Sequence, residues 1–135
     1  MAFPIKGSCQ CGQVSYLLFE KPSLVIACHC KECQKLSTSA FSVTAIVASS
    51  TIHFTGKLKD TSRVADSGNT NIGKFCPECG NRIYQLNSEQ PESIKLKLKP
   101  DTNTELFEPS IHVWTSQKVS WYEIPEGVTS MDKQR

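Results

Sequence analysis

Seven cysteines fall in three tight groups along this chain: Cys9 and Cys11; Cys28, Cys30 and Cys33; Cys76 and Cys79. An odd count, behind an MAFPIKG start with no signal-peptide pattern, argues against a disulfide framework, because a reducing compartment keeps thiols free. Free thiols with one or two residues between them are instead the ligand set of a metal ion, and thiolate sulfur suits the borderline-soft, tetrahedral chemistry of zinc. At 135 residues the chain is sized for one domain with a modest core. We take residues 1–125 as that zinc-binding domain and 126–135 as a C-terminal tail, frayed from Gly127 onward.

Between the cysteines the pattern is mostly β, with small antiparallel sheets and little helix. Short stretches rich in β-branched and aromatic residues recur between turn signals, and helical periodicity is weak. Strands are expected over 13–19, 24–27, 41–48, 51–55, 71–75, 82–86, 94–98 and 111–114, with one helical turn at 31–36. Loops are expected at 20–22, 66–69, 90–92 and 99–104, where Pro, Gly, Asn, Asp and Ser accumulate. The alternation of residues 94–99 sends Ile94, Leu96 and Leu98 to a core and Lys95, Lys97 and Lys99 to water. Trp114 and Trp121 read as core residues.

Charge and hydropathy name no partner. Fifteen basic and 13 acidic side chains leave a net charge of +2, no reason to expect nucleic acid or an anionic membrane. No apolar run approaches the roughly 20 residues of a membrane helix. The expected location is the cytoplasm, and exposed strand edges leave room for a homodimer.

Each cysteine group carries its own geometry. In Cys76-Pro77-Glu78-Cys79-Gly80 two intervening residues let both sulfurs reach one ion, and Gly80 permits the positive φ of a tight turn. Cys9 and Cys11, flanked by Gly7 and Gly12, can turn together, though a strand would send them to opposite faces. Cys28, Cys30 and Cys33 can hold one ion among them. Two pairs then complete a closed, structural four-sulfur site, while the triplet leaves a tetrahedral ion with one open, reactive position. A zinc-ribbon partition, Cys30 and Cys33 with Cys76 and Cys79, fits the spacing as well. His29, between two ligating neighbours, is poorly placed to reach the same ion, and His112 in its apolar strand reads as a hydrogen-bonded core residue.

The segments GSCQCG, CHCKEC and FCPECGNRIY, in that order and at those separations, resemble the glutathione-dependent formaldehyde-activating enzyme family, which includes the centromere protein V relatives. The resemblance runs from Gly7 to about Trp121 and implies a β-tent fold around zinc. It implies two ions: a structural zinc on Cys9, Cys11, Cys76 and Cys79, and a catalytic zinc on Cys28, Cys30 and Cys33. Two stretches depart from the family pattern. Ser37-Thr38-Ser39 stands where a glycine is usual after the second group, and Leu98-Lys99-Pro100-Asp101 stands where glycine, leucine and aspartate are usual.

The chemistry implied is zinc-dependent carbon–sulfur lyase activity of the S-(hydroxymethyl)glutathione synthase kind. A thiol such as glutathione binds the open position as thiolate, because the ion lowers its pKa, and attacks formaldehyde or a related aldehyde. Three anionic sulfurs weaken the ion as a Lewis acid, so its task is activation of the thiol more than of the aldehyde. The alternative function is a non-catalytic zinc-binding interaction module, in which a protein side chain fills the fourth position. A third is a redox protein using Cys28, Cys30 and Cys33 as reactive thiols.

Overall fold

A computed structural model describes residues 3–65 and 67–134. The chain begins with β1 (Ile5–Ser8) and β2 (Ser15–Leu18), an antiparallel pair joined by the turn that carries Cys9 and Cys11. Gly7 lies opposite Tyr16 in this pair. A Cβ at position 7 would stand 2.3 Å from the Tyr16 ring, so the close approach requires glycine. β5 (Ile52–Thr55) adds to the far side of β2, completing a three-stranded sheet.

The second sheet has eight strands. Its centre is β3 (Leu24–Cys28), β4 (Ser42–Ala48) and β9 (Ser93–Leu96), antiparallel neighbours. Beyond β9 come β8 (Arg82–Asn87), β7 (Thr70–Phe75) and β6 (Lys59–Val64), also antiparallel. On the opposite side of β3, β10 (Ile111–Val113) and then β11 (Thr129–Ser130) pair in parallel. Between β3 and β4 sits the expected helical turn, α1 (Lys31–Ser37).

The alternating residues of both sheets meet in one apolar cluster: Tyr16, Leu18, Val25, Ala45, Val47, Ile52, Ile94, Leu96 and Phe107. Their burial is the main stabilising term. The Tyr16 hydroxyl donates to the Leu98 carbonyl at 2.9 Å, which ties the small sheet to the large one. Val14 and Ile83, both fully buried, join Cys9 and Cys76 in a second cluster.

Several expectations need correction. Residues from Gly127 do not fray as far as Gln134: β11 pairs with β10, and Met131 N–H donates to the His112 carbonyl at 2.9 Å. Trp121 is 75% exposed rather than core; its neighbour Tyr122 takes the aromatic contact instead, 4.9 Å from Phe41. Lys97 does not face open water. It lies on the face opposite Leu96, as the alternation requires, but its ammonium there donates to Thr44 Oγ1 at 2.6 Å and Ser42 Oγ at 3.5 Å. Strands β1, β6 and β11 went unanticipated. Met1, Ala2 and Arg135, and Asp66 of the loop expected at 66–69, lie outside the described residues.

Candidate metal centres

Two sharp turns build the first centre. Past β1, Gly12 N–H donates to the Cys9 carbonyl and Gly12 takes φ 82°, so the chain leaves the strand before Cys11 and both sulfurs point the same way. Past β7, Gly80 N–H donates to the Cys76 carbonyl with Gly80 at φ 76°. The two turns meet through the Gln10 N–H, which donates to Asn81 Oδ1 at 3.1 Å. The sulfurs of Cys9, Cys11, Cys76 and Cys79 lie within 4.8 Å of one another.

The donor set fits zinc in spacing as well as type. Cys9 to Cys11 and Cys11 to Cys76 are each 3.7 Å between sulfurs, and a tetrahedron with Zn–S bonds of about 2.3 Å has edges of about 3.8 Å. Val14 N–H donates to Cys9 Sγ at 3.3 Å and Gln13 Nε2 to Cys76 Sγ at 3.2 Å. Burial raises the Cys76 thiol, but the backbone N–H groups of Cys79 and Glu78 and the Gln13 amide outweigh it and bring it down to about 6. Four thiolates this close repel unless a cation sits among them.

The second centre is local in sequence. Cys28 ends β3, Cys30 caps α1 with its Sγ accepting from the Cys33 N–H at 3.3 Å, and Cys33 lies in the first helical turn. The extended Cys30 backbone and the helical turn after it bring all three sulfurs within 4.8 Å. Hydrogen bonds from the Cys28 and Cys30 thiols, aided by the Lys97 charge and the Ser42 hydroxyl, lower the Cys33 thiol to about 2. Its neighbours push the Cys28 thiol up.

Grouping Cys28 with Cys30 and Cys33 leaves no zinc ribbon of Cys30, Cys33, Cys76 and Cys79. His29 does not join the triplet. Its fully buried ring turns to His112, Nε2 to Nδ1 at 2.8 Å, and packs 4.9 Å from Phe41 and 5.8 Å from Tyr122. His29 Nδ1 has no hydrogen-bond partner, so the tautomer that strands no buried N–H has His29 Nε2–H donating to His112. Among the described residues the three-sulfur group has no fourth His, Cys, Asp or Glu ligand.

Two clefts lie near the cysteine centres. One, of about 460 Å³, contains Cys33 of the triplet with Glu32, Lys35, Arg63 and Arg82. The other, of about 550 Å³, is lined by Ser42, Cys79 of the four-cysteine centre, Arg82, Lys97 and Lys99. Arg82 lines both, and it and Lys97 are site-facing cations that the sequence reading missed. An alternating strand gives no sign of which face is covered, and the FCPECGNRIY segment carries Arg82 without showing what it faces. Of the basic residues near the cysteine motifs, Lys74 is paired with Asp60 at 2.7 Å and Lys35 with Glu32 at 3.8 Å.

Fold and centres together define a small, mostly β protein with one four-cysteine and one three-cysteine centre, each able to hold a metal ion. Residues 4–117 match the sequence model of the glutathione-dependent formaldehyde-activating enzyme family, and the chain belongs to that family. No curated protein matches the chain in sequence. A crystal structure of a Rhodobacter sphaeroides protein superposes with a TM-score of 0.56 at 20% identity, covering 78% of this chain and 97% of the other. That likeness is one of fold.

Proposed function

We propose that this protein adds a thiol, glutathione or a close relative, to formaldehyde or a related aldehyde at the Cys28, Cys30 and Cys33 centre, as a carbon–sulfur lyase. One observation carries the reading: three sulfurs converge while the other ligand types in that segment are engaged elsewhere, His29 by His112 and Glu32 by Lys35. The fourth coordination position is thereby left to a substrate, the arrangement of reactive rather than structural zinc. Membership of a formaldehyde-activating family supports the same chemistry.

A zinc ion held by the three sulfurs would lower the pKa of a thiol taken at its fourth position and so supply the nucleophile at neutral pH. The end of β3 and the cap of α1 hold the three sulfurs in place before any ligand arrives. Lys97, fixed on Thr44, offsets the negative charge that accumulates on them. The cleft at Cys33 admits the thiol and aldehyde, and beside the centre the rings of His29, Phe41, His112 and Tyr122 pack against one another, His29 lying between Cys28 and Cys30 in the chain. The Cys9, Cys11, Cys76 and Cys79 centre is structural. We place the protein in the cytoplasm, working on small molecules and not nucleic acid; a second copy, in a homodimer, would add at the exposed edge of β6.

The test is metal content and turnover on the same samples. Elemental analysis should find close to two zincs per chain, falling to one in a Cys28→Ser, Cys30→Ser, Cys33→Ser variant that keeps its fold. Exchange NMR of glutathione with formaldehyde should show accelerated hemithioacetal formation in the wild type alone. Undiminished turnover in the zinc-depleted variant would sink the reading, and an unchanged single zinc without turnover would favour the interaction module.

A further inference from the structure

Lys35, Lys74 and Lys97 have side-chain partners; Arg82, like Arg63 and Lys99 in the same clefts, has none among the described residues. Its guanidinium makes no hydrogen bond or ion pair among the described residues, although the side chain is partly buried. It lies across Gly73 on the neighbouring strand, where a Cβ would stand 2.7 Å from Nη1 and 3.0 Å from Cζ. Glycine at 73 is what lets the guanidinium rest there. A partly desolvated cation without a counter-charge costs free energy unless a ligand supplies one.

The cleft beside it has matching chemistry. Among the described residues, the walls of the 550 Å³ space carry three cations, Arg82, Lys97 and Lys99, and no aspartate or glutamate. Arg82 also borders the 460 Å³ cleft that contains Cys33. Cys33 and Arg82 thus line one cleft, which also carries Glu32, itself paired with Lys35, so a molecule with its sulfur at the three-cysteine centre can present an acidic group toward Arg82. A guanidinium receives a carboxylate through two parallel N–H···O bonds, which fixes orientation as well as charge.

We propose that Arg82, supported by Lys97 and Lys99, is the specificity-determining carboxylate site of this protein, selecting thiols that carry an acidic group several bonds from the sulfur. The proposal deepens the function given above and rests on it for the word substrate, but the binding site can be tested without turnover.

The probe is S-methylglutathione, whose capped sulfur keeps its carboxylates but cannot occupy a metal as thiolate. Calorimetry on the zinc-loaded protein should show it binding, with its dimethyl ester at least tenfold weaker. Arg82→Gln should weaken the acid at least tenfold and remove the preference over the ester. Gly73→Ala keeps the charge but displaces the flexible end of Arg82, and should weaken the acid similarly; it serves also if Arg82→Gln fails to fold. In turnover assays the preference for glutathione over 2-mercaptoethanol should fall at least tenfold in both variants. Acid and ester binding equally to the wild type, or acid binding within twofold of wild type in folded Arg82→Gln or Gly73→Ala, would overturn the proposal. So would inorganic phosphate displacing the probe at equal concentration, because the site would then be a general anion site. Turnover absent with every thiol while the acid still binds through Arg82 would instead overturn the reaction and leave the site standing.

Discussion

The two cysteine centres should differ sharply in what they contribute to stability, and chain topology sets the size of the difference. Cys11 and Cys76 are 65 residues apart, so an ion joining their turns closes a long loop. By the treatment used for disulfides, such a closure removes unfolded-state entropy equivalent to about 4 kcal/mol. Cys28 and Cys33 span five residues, and the same treatment gives about 2 kcal/mol or less. Any binding of zinc to the unfolded chain lowers both values. The perturbation is Cys11→Ser with Cys79→Ser, one ligand from each turn, neither of them fully buried. The comparison is Cys28→Ser with Cys33→Ser. In urea melts under reducing conditions with zinc present, the first pair should lower the midpoint by about 2 M, given a slope of about 2 kcal/mol per M for a domain of this size. The second should lower it by about 1 M or less on the same slope. Equal losses, or a larger loss from the triplet, would refute the assignment of structural and reactive roles.

Other expectations follow from single residues. Thr38 ends α1 at φ 49°, a left-handed position costly for a β-branched residue, so Thr38→Gly should stabilise the fold by about 1 kcal/mol; a lower melting temperature would contradict this. Tyr16→Phe removes the donor to the Leu98 carbonyl and should cost about 1–2 kcal/mol in a urea melt; no loss would show that bond to be idle. Burial, with the charges of His112 and Lys118, holds the His29 imidazole down to about 4 from its ordinary 6.5. Between those values the unfolded chain binds a proton that the folded chain refuses, so this contribution to stability is lost as pH falls through that window. Ring NMR should find His29 neutral at pH 5.5; titration near 6.5 would contradict the buried pair.

Much of the fold was legible because it is local. Strands such as β3, β4 and β8 alternate or run apolar at the period of two, and α1 follows a cysteine that caps it. β6 escaped notice because all six of its residues are exposed, with no apolar face to read; its pairing with β7 makes it a strand. β11, two residues long, exists through its pairing with β10. Lys97 shows the limit of periodicity: alternation tells which residues share a face, not whether that face meets water or another part of the chain.

Ligand chemistry within each cysteine group was decided by the sequence, since residues two or three apart in a tight turn have little choice about where their sulfurs go. Which groups combine was a tertiary matter. Cys76 and Cys79 could by spacing have joined Cys30 and Cys33; they joined Cys9 and Cys11 because two hairpin turns from distant parts of the chain are packed together. Burial of Val14 and Ile83 around Cys9 and Cys76, and the pairing of β7 with β8, bring them there. The separation of His29 from the triplet is likewise a tertiary product, made when His112 arrives on β10, 83 residues along the chain, and takes the His29 ring for its own hydrogen bond.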